Sequence, residues 1–279
     1  MRLLMAILLA CLICHGAGKM LVITGITAQN EAVREIGGNL VSVASLLPPN
    51  ASPETFSPNA RQLAIFDKAS MFLTIGTPME KAMLPKIKAS FPKLKTYDTT
   101  EGMHFREIEN EDGIHHQGGH DPHVWLGIAN MKIHARNVAK ALSYAIPSKT
   151  DVIQSNLNAY LGKLDMLEKE INNILSPIQG EIILVFHPAF GYMLDSTKIR
   201  QLAVEQHGKE ASAKHLAQLS KVVRDMKCSK LFVQPQSNPV SAAKAASILH
   251  KKILVLQPIP MNYSSDMLEM AKTIRSAFP

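Results

Sequence analysis

One long helical segment in the middle of the chain constrains the fold more than any other feature. Across residues 151–175 the apolar residues recur at helical spacing, namely Val152, Leu157, Leu161, Leu164, Leu167, Ile171 and Ile174. Ser148 or Thr150 can cap the segment, and Pro177 and Gly180 end it. At about 1.5 Å per residue, such a helix is about 40 Å long, enough to run past one domain and reach another.

Short predicted strands alternate with predicted helices on both sides of this segment. The strands are residues 21–24, 40–47, 71–75, 181–186, 230–234 and 253–257, and the helices are 29–36, 60–69, 128–145, 215–226, 240–250 and 264–277. Such alternation is typical of parallel sheets built from βαβ units. We therefore predict an α/β fold with an N-terminal region at 19–147, a linking helix at 148–179 and a C-terminal region at 180–279.

The first 18 residues are typical of a cleaved secretory signal. A positive start is followed by an apolar run, residues 3–14, which is too short to span a bilayer, and then by small residues. We therefore expect an exported, periplasmic protein. Lipid anchoring at Cys11 is a less favoured alternative, because the apolar run before it is short. After cleavage only Cys228 would remain, which excludes an internal disulfide and a thiolate metal site.

The charge distribution argues against nucleic acid as a partner. Lys and Arg total 30 against 23 Asp and Glu, but the basic residues are spread along the chain and aromatic residues make up 5%. Nucleic-acid-binding proteins usually concentrate basic charge on one face and add aromatic stacking platforms. We expect a solvated surface with some attraction to anionic membranes, and a chain that acts as a monomer.

Four polar residues occupy positions where α/β proteins bind ligands. His187 directly follows a predicted strand, Gln257 directly follows the apolar run 253–256 of another, and Glu54 lies in a proline-rich loop after a third. His123 lies just before a predicted helix. Because ligands of open α/β sheets bind beyond the carboxyl ends of the strands, we expect these side chains to converge on one cleft.

Five short segments carry a family resemblance. They are Asn-Ala-Ser-Pro-Glu-Thr-Phe at 50–56, Asp-Pro-His-Val-Trp-Leu at 121–126, Phe-His-Pro-Ala-Phe-Gly-Tyr at 186–192, Phe-Val-Gln-Pro-Gln at 232–236 and Leu-Gln-Pro-Ile at 256–259. With them, nearly the whole chain after the signal resembles the solute-binding proteins of zinc and manganese ABC importers. The resemblance implies two α/β lobes joined by a rigid helix, a divalent cation held between the lobes, and delivery to a membrane permease without catalysis.

The resemblance also implies a ligand set, and this chain departs from its usual pattern twice. The metal ligands would be Glu54, His123, His187 and Gln257, where the family usually has three His and one carboxylate. Glu54 stands where His is usual, and Gln257 where Asp is usual. The number of anionic ligands is the same as in the usual set, but one nitrogen ligand is replaced by an oxygen. Compared with the usual set, this one suits manganese and ferrous iron better. We expect Zn²⁺, with Mn²⁺ or Fe²⁺ as alternatives.

A second group of histidines lies at the end of a polar loop, rich in His and Gly, that is predicted at 102–119, and directly after it. His115, His116 and His120 form either an auxiliary loop that captures metal ions or an ordinary flexible loop. The remaining histidines have no supporting context and are predicted to be surface residues; they are His104, His134, His207, His215 and His250.

Two other kinds of function stay open at this point. A zinc-dependent hydrolase needs three protein ligands, an open coordination position and a nearby general base. The sequence has no His-Glu-x-x-His motif, and no spare acid flanks His123 or His187 in a recognisable way. A related receptor whose metal site has drifted to an adhesive or metal-storage role is the other alternative.

Overall fold

The computed structural model describes residues 18–107, 120–205 and 210–279. Its N-terminal part contains a four-stranded, all-parallel sheet with the strand order β2-β1-β3-β4. The strands are β1 (Met20–Thr24), β2 (Val41–Ser45), β3 (Met71–Thr74) and β4 (Lys95–Asp98).

A second four-stranded parallel sheet follows in the C-terminal part, with the order β6-β5-β7-β8. Its strands are β5 (Ile182–Val185), β6 (Arg200–Ala203), β7 (Lys230–Val233) and β8 (Lys252–Val255). The two sheets repeat one topology, in which the first strand of each unit occupies an inner position. The α/β fold with two mainly parallel sheets is therefore confirmed.

The α-helices connect and cover these strands. They are α1 (Asn30–Gly37), α2 (Ala60–Leu63), α3 (Pro78–Ser90), α4 (Ile128–Ala145), α5 (Thr150–Leu175), α6 (Gly191–Leu194), α7 (Ala213–Val223), α8 (Pro239–Ile248) and α9 (Tyr263–Arg275). The helices α3 and α6 and the strands β4 and β6 were not predicted from the sequence. Both strands are sheet edges with polar, partly exposed sequences, so neither produces an apolar run, and α3 carries an internal proline, Pro85.

The long helix α5 forms where it was predicted, but its buried face is slightly different. The buried residues are Ile153, Leu157, Tyr160, Leu164, Leu167, Ile171 and Leu175, whereas Val152 is 51% exposed. Neither predicted cap is used. The N-cap residue is Lys149, and the Thr150 hydroxyl donates to the Pro147 carbonyl at 2.9 Å.

The end of the chain returns to the N-terminal part of the molecule. Trp125 is fully buried and donates its indole Nε1–H to the Pro258 carbonyl at 2.7 Å. The Tyr263 hydroxyl, on α9, donates to the Trp125 carbonyl at 2.8 Å. One apolar core joins residues from both sheets around α5, and a smaller core lies on the second sheet beneath α7 and α8. The division at 19–147, 148–179 and 180–279 remains a prediction.

Two histidines predicted to lie at the surface are buried instead. His134 is on the buried face of α4, with its Nδ1 2.7 Å from the Thr99 hydroxyl, and His215 is 2% exposed. Burial lowers the pKa of His134 to about 4, so the ring is neutral. His104 and His250 are exposed as predicted, and His207 lies outside the described residues.

No helix in the described part of the chain has both the length and the apolar character needed to cross a bilayer. The predicted signal segment, with Cys11, falls almost entirely outside the described ranges.

Glu80, in the first turn of α3, should make stability depend on pH. It is 1% exposed and accepts backbone N–H groups from Ile75 at 3.0 Å and Thr77 at 2.8 Å. Burial nevertheless raises its pKa to about 7. The folded state therefore holds this proton more tightly than the unfolded chain. The resulting stabilisation is complete below the unfolded pKa, near 4.5, and is lost as pH rises through 7.

We expect the stability advantage of the wild type over Glu80→Gln to shrink by about 3 kcal/mol between pH 4.5 and pH 8. The variant keeps the side-chain shape but cannot ionise, so the other titrating groups cancel in the difference. Urea unfolding of both proteins in chelator, at several pH values, measures it. Parallel stability curves for the two proteins would show that Glu80 does not hold its proton.

Candidate metal centre

Three of the four predicted ligands meet at one point. One ligand atom from each of Glu54, His123 and His187 lies within 4.8 Å of the other two. Glu54 Oε1 is 3.0 Å from His187 Nε2 and 3.6 Å from His123 Nε2. The two imidazole rings are 5.3 Å apart between centroids, at an interplanar angle of 73°. Both Nε2 atoms therefore face a shared space beside the carboxylate.

These side chains come from different parts of the fold. His187 follows β5 at the carboxyl edge of the second sheet, and Glu54 lies in the loop after β2 at the carboxyl edge of the first. His123 directly precedes the 3-10 turn Val124–Leu126, which leads into α4. His123 is buried, His187 is half-buried and Glu54 is exposed. The centre is thus reached from solvent on the side of Glu54.

Each imidazole is held from behind by a second carboxylate. Asp121 Oδ1 lies 2.7 Å from His123 Nδ1 and also accepts the His123 backbone N–H at 2.9 Å. Glu205 Oε2 lies 2.7 Å from His187 Nδ1. Since a carboxylate accepts hydrogen bonds, each Nδ1 carries the proton, and in the neutral ring the Nε2 lone pair is directed into the centre.

Asp121 belongs to one of the five segments that carry the family resemblance, but no role was predicted for it, and Glu205 was not predicted at all. The contact between Asp121 and His123 joins residues two apart in the chain, so the Asp-Pro-His sequence could have indicated it. The contact between Glu205 and His187 spans 18 residues and depends on β6, an edge strand that was not predicted. No local pattern could have indicated it.

The pKa values in the centre reflect this arrangement. Burial alone would lower the pKa of His187, but the hydrogen bonds and charges of Glu205 and Glu54 outweigh it and raise the pKa to about 9. Burial alone would raise the pKa of Glu54, but the hydrogen bond to His187 and the charges of both imidazoles lower it. In the absence of metal a proton on His187 therefore takes the place of a cation, and a metal ion must displace it.

The side-chain oxygen of Gln257, the fourth predicted ligand, is engaged in hydrogen bonds within the protein. Its Oε1 accepts the backbone N–H of Ile259 at 3.3 Å and the amide of Gln236 at 3.1 Å. A backbone N–H can only donate, so this contact identifies the oxygen atom of the Gln257 amide. The carbonyl of the neighbouring Pro258 accepts a hydrogen bond from the Trp125 indole, whose ring centroid lies 5.3 Å from that of His123. Gln257 lies two residues past the end of β8, and its amide oxygen already accepts two hydrogen bonds.

Of the three histidines predicted to form a capture loop, the described residues include only His120. Its backbone forms an isolated antiparallel bridge with Glu107, and its ring stacks on Phe105 at 5.2 Å between centroids. His115 and His116 lie outside the described residues. The role of the loop in metal capture stays a prediction.

The chemistry of the centre matches a divalent transition metal. Two imidazole nitrogens and one carboxylate form a competent set of protein ligands for zinc, with a further coordination position left to another group. A carboxylate on each Nδ1 is the usual support of metal-binding histidines.

Comparison with known proteins agrees with this chemistry. Residues 22–277 match the sequence profile of the family described as zinc-uptake complex component A, periplasmic (ZnuA). The chain belongs to this family. The family resemblance predicted from the five segments is therefore confirmed.

Curated relatives of the family match at moderate identity. The zinc-binding lipoprotein AdcA of Streptococcus pneumoniae serotype 4 is 26% identical over 253 residues, which are 87% of this chain and 50% of the relative. The metal ABC transporter substrate-binding lipoprotein ScbA of Streptococcus cristatus is 26% identical over 232 residues, covering 78% of this chain and 73% of the relative. The chain thus spans about half the length of its AdcA relatives.

Solved structures share the whole fold. A crystal structure of ZnuA superposes with a TM-score of 0.86 at 30% identity, covering 93% of this chain and 99% of that one. The periplasmic zinc-binding protein TroA of Treponema pallidum superposes with a TM-score of 0.80 at 19% identity, with coverages of 93% and 99%. The second likeness supports the fold alone.

Proposed function

We propose that this protein is an exported receptor that binds zinc and delivers it to an ABC import permease. The observation that carries the proposal is the convergence of two imidazoles and one carboxylate, from both α/β regions, within 4.8 Å of one another. Family membership supports it, as do the relatives that are named zinc-binding or metal ABC transporter substrate-binding lipoproteins.

Glu54, His123 and His187 are the proposed protein ligands, and Gln257 is a weaker candidate. To bind a metal ion through Oε1, Gln257 would have to give up hydrogen bonds from Gln236 and Ile259. Two nitrogens and one carboxylate favour Zn²⁺, while the reduced nitrogen count leaves Mn²⁺ or Fe²⁺ as alternative cargo. His115, His116 and His120 are proposed as the auxiliary capture loop.

The proposed location and partners follow from the same reasoning. The signal-like start and the family description as a periplasmic component support export, with lipid anchoring at Cys11 as the alternative. The proposed partner is the membrane permease, reached by a monomeric receptor. A hydrolytic role gains no support, since the family is described as a component of metal uptake and Glu54, the carboxylate nearest both Nε2 atoms, is itself a proposed ligand.

Metal analysis of the untagged protein tests this function. We expect about one zinc ion per chain after dialysis, and displacement of bound manganese by equimolar zinc, because zinc lies above manganese in the affinity order of divalent metals. Elemental analysis and competition titration measure both. A protein that retains no divalent metal, or that hydrolyses ester or phosphate substrates only when zinc is added, would contradict the proposal.

A further inference from the structure

We propose that Glu205 is a positioning residue that sets the metal affinity of the centre by acting through His187. This inference rests on the proposed function, since it concerns how tightly the same centre holds its cargo. Glu205 lies in neither the motifs nor the ligand set, and its contact with His187 Nδ1 at 2.7 Å is the observation from which the argument begins.

The backbone fixes Glu205 beside His187. The Val204 N–H donates to the Val185 carbonyl at 2.9 Å, and the Glu205 N–H donates to the Phe186 carbonyl at 2.9 Å. These bonds extend the parallel pairing of β5 with β6 past the ends of both strands. Because a shift of one residue in such a pairing turns every side chain to the other face, the register decides that Glu205 meets the imidazole.

Each of the two imidazoles is supported by a carboxylate at its Nδ1, but the two carboxylates lie at different distances along the chain from the histidine that they support. Asp121 holds His123 from two residues away, and Glu205 holds His187 from across a strand pair. Both carboxylates are shielded from water, with side-chain exposures of 6% for Asp121 and 17% for Glu205. A charged hydrogen bond in such surroundings is stronger than one at the surface.

Glu205 also adds negative charge beside a ligand set that contains one anion. Gln257 is neutral, so among the proposed ligands only Glu54 is anionic. With Asp121 and Glu205, three carboxylates surround the two imidazoles. A carboxylate behind a histidine makes the ligating nitrogen more basic and fixes the ring, and removing such a partner weakens metal binding by about 10- to 100-fold.

Substitutions at Glu205 test the proposal. Glu205→Ala is expected to weaken zinc binding by about 10- to 100-fold. Glu205→Gln should fall between this variant and the wild type, because its amide oxygen still accepts the Nδ1–H without the charge. Glu205→Asp should recover part of the loss. Glu210→Gln changes an exposed carboxylate of the same region and should bind zinc within about twofold of the wild type.

A spectroscopic readout separates positioning from a purely structural role. In ¹⁵N NMR of the zinc-loaded protein, the wild-type His187 ring should show a protonated Nδ1 and a metal-bound Nε2. In metal-free Glu205→Ala at a pH where the ring is neutral, the two tautomers should become mixed. Circular dichroism and thermal melting confirm that each variant folds.

Two results overturn the inference: zinc affinity of folded Glu205→Ala within about twofold of the wild type, or an unchanged tautomer of His187 in that variant. The proposed function fails separately. A wild-type protein that binds no zinc contradicts the function, whereas zinc binding that His187→Ala abolishes and Glu205→Ala leaves intact contradicts only the role of Glu205.

Discussion

Replacing both His123 and His187 by alanine should weaken zinc binding at least about a thousandfold, because it removes two of three proposed protein ligands. Only the carboxylate of Glu54 would remain to bind the cation. In the wild type its Oε1 lies 3.6 Å from His123 Nε2 and 3.0 Å from His187 Nε2. Competition titration against a chelator of known affinity measures the loss. The fold should survive, since neither His123 nor His187 belongs to a helix or a strand.

The control for this prediction is the double variant His104→Ala with His250→Ala. Both residues are exposed, and neither belongs to the described cluster. It should bind zinc as the wild type does, which shows that the loss does not follow from histidine content alone. If the His123 and His187 variant folds and retains wild-type affinity, the ligand assignment is wrong.

Replacing Trp125 by alanine should lower the free energy of unfolding by about 3–5 kcal/mol. The indole is fully buried, and its loss would leave a large cavity beside the ring of His123, which it contacts edge-on at 5.3 Å between centroids. It would also leave the Pro258 carbonyl without the indole N–H that it accepts at 2.7 Å. Because Trp125 connects the His123 segment to the C-terminal part of the chain, zinc affinity should fall as well.

Urea unfolding in the presence of chelator measures the stability change, and Tyr144→Ala provides the control. Tyr144 is an aromatic residue of the neighbouring helix α4 that is 68% exposed, so its removal should change stability by less than about 0.5 kcal/mol. Equal stabilities of the Trp125 and Tyr144 variants would mean that the indole contributes little to the joined core.

Helices and strands could be predicted from the sequence where their buried faces produce a recognisable apolar pattern. The inner strands β1, β3, β5 and β7 are mostly apolar because helices or loops cover both faces, and α4 and α5 carry long apolar stripes. The edge strands β4 and β6 could not be predicted, because their sequences, Lys-Thr-Tyr-Asp and Arg-Gln-Leu-Ala, contain no apolar run. The other two edge strands, β2 and β8, keep enough apolar residues to have been predicted. His134 and His215 were misjudged because the tertiary structure buries both residues, at 0% and 2% exposure, and no local sequence pattern marks that burial.

In the candidate metal centre, too, some residues could be predicted from the sequence and others could not. His123, His187 and Glu54 stand at strand ends or in short motifs, so position along the chain was enough to group them. Glu205 and the Gln236 contact of Gln257 depend on which strands are neighbours and in what register, as hydrogen bonds across 18 and 21 residues show.

By itself, the sequence determined the α/β rhythm, the long helix and the chemical groups available to bind a metal ion. Only the tertiary structure decided which atoms of those groups face the centre: a carboxylate behind each imidazole, and an amide oxygen of Gln257 that other donors already occupy. The physical reason is that apolar periodicity and short motifs are local, whereas strand register and the joining of the two α/β regions arise from many weak contacts between residues far apart in the chain.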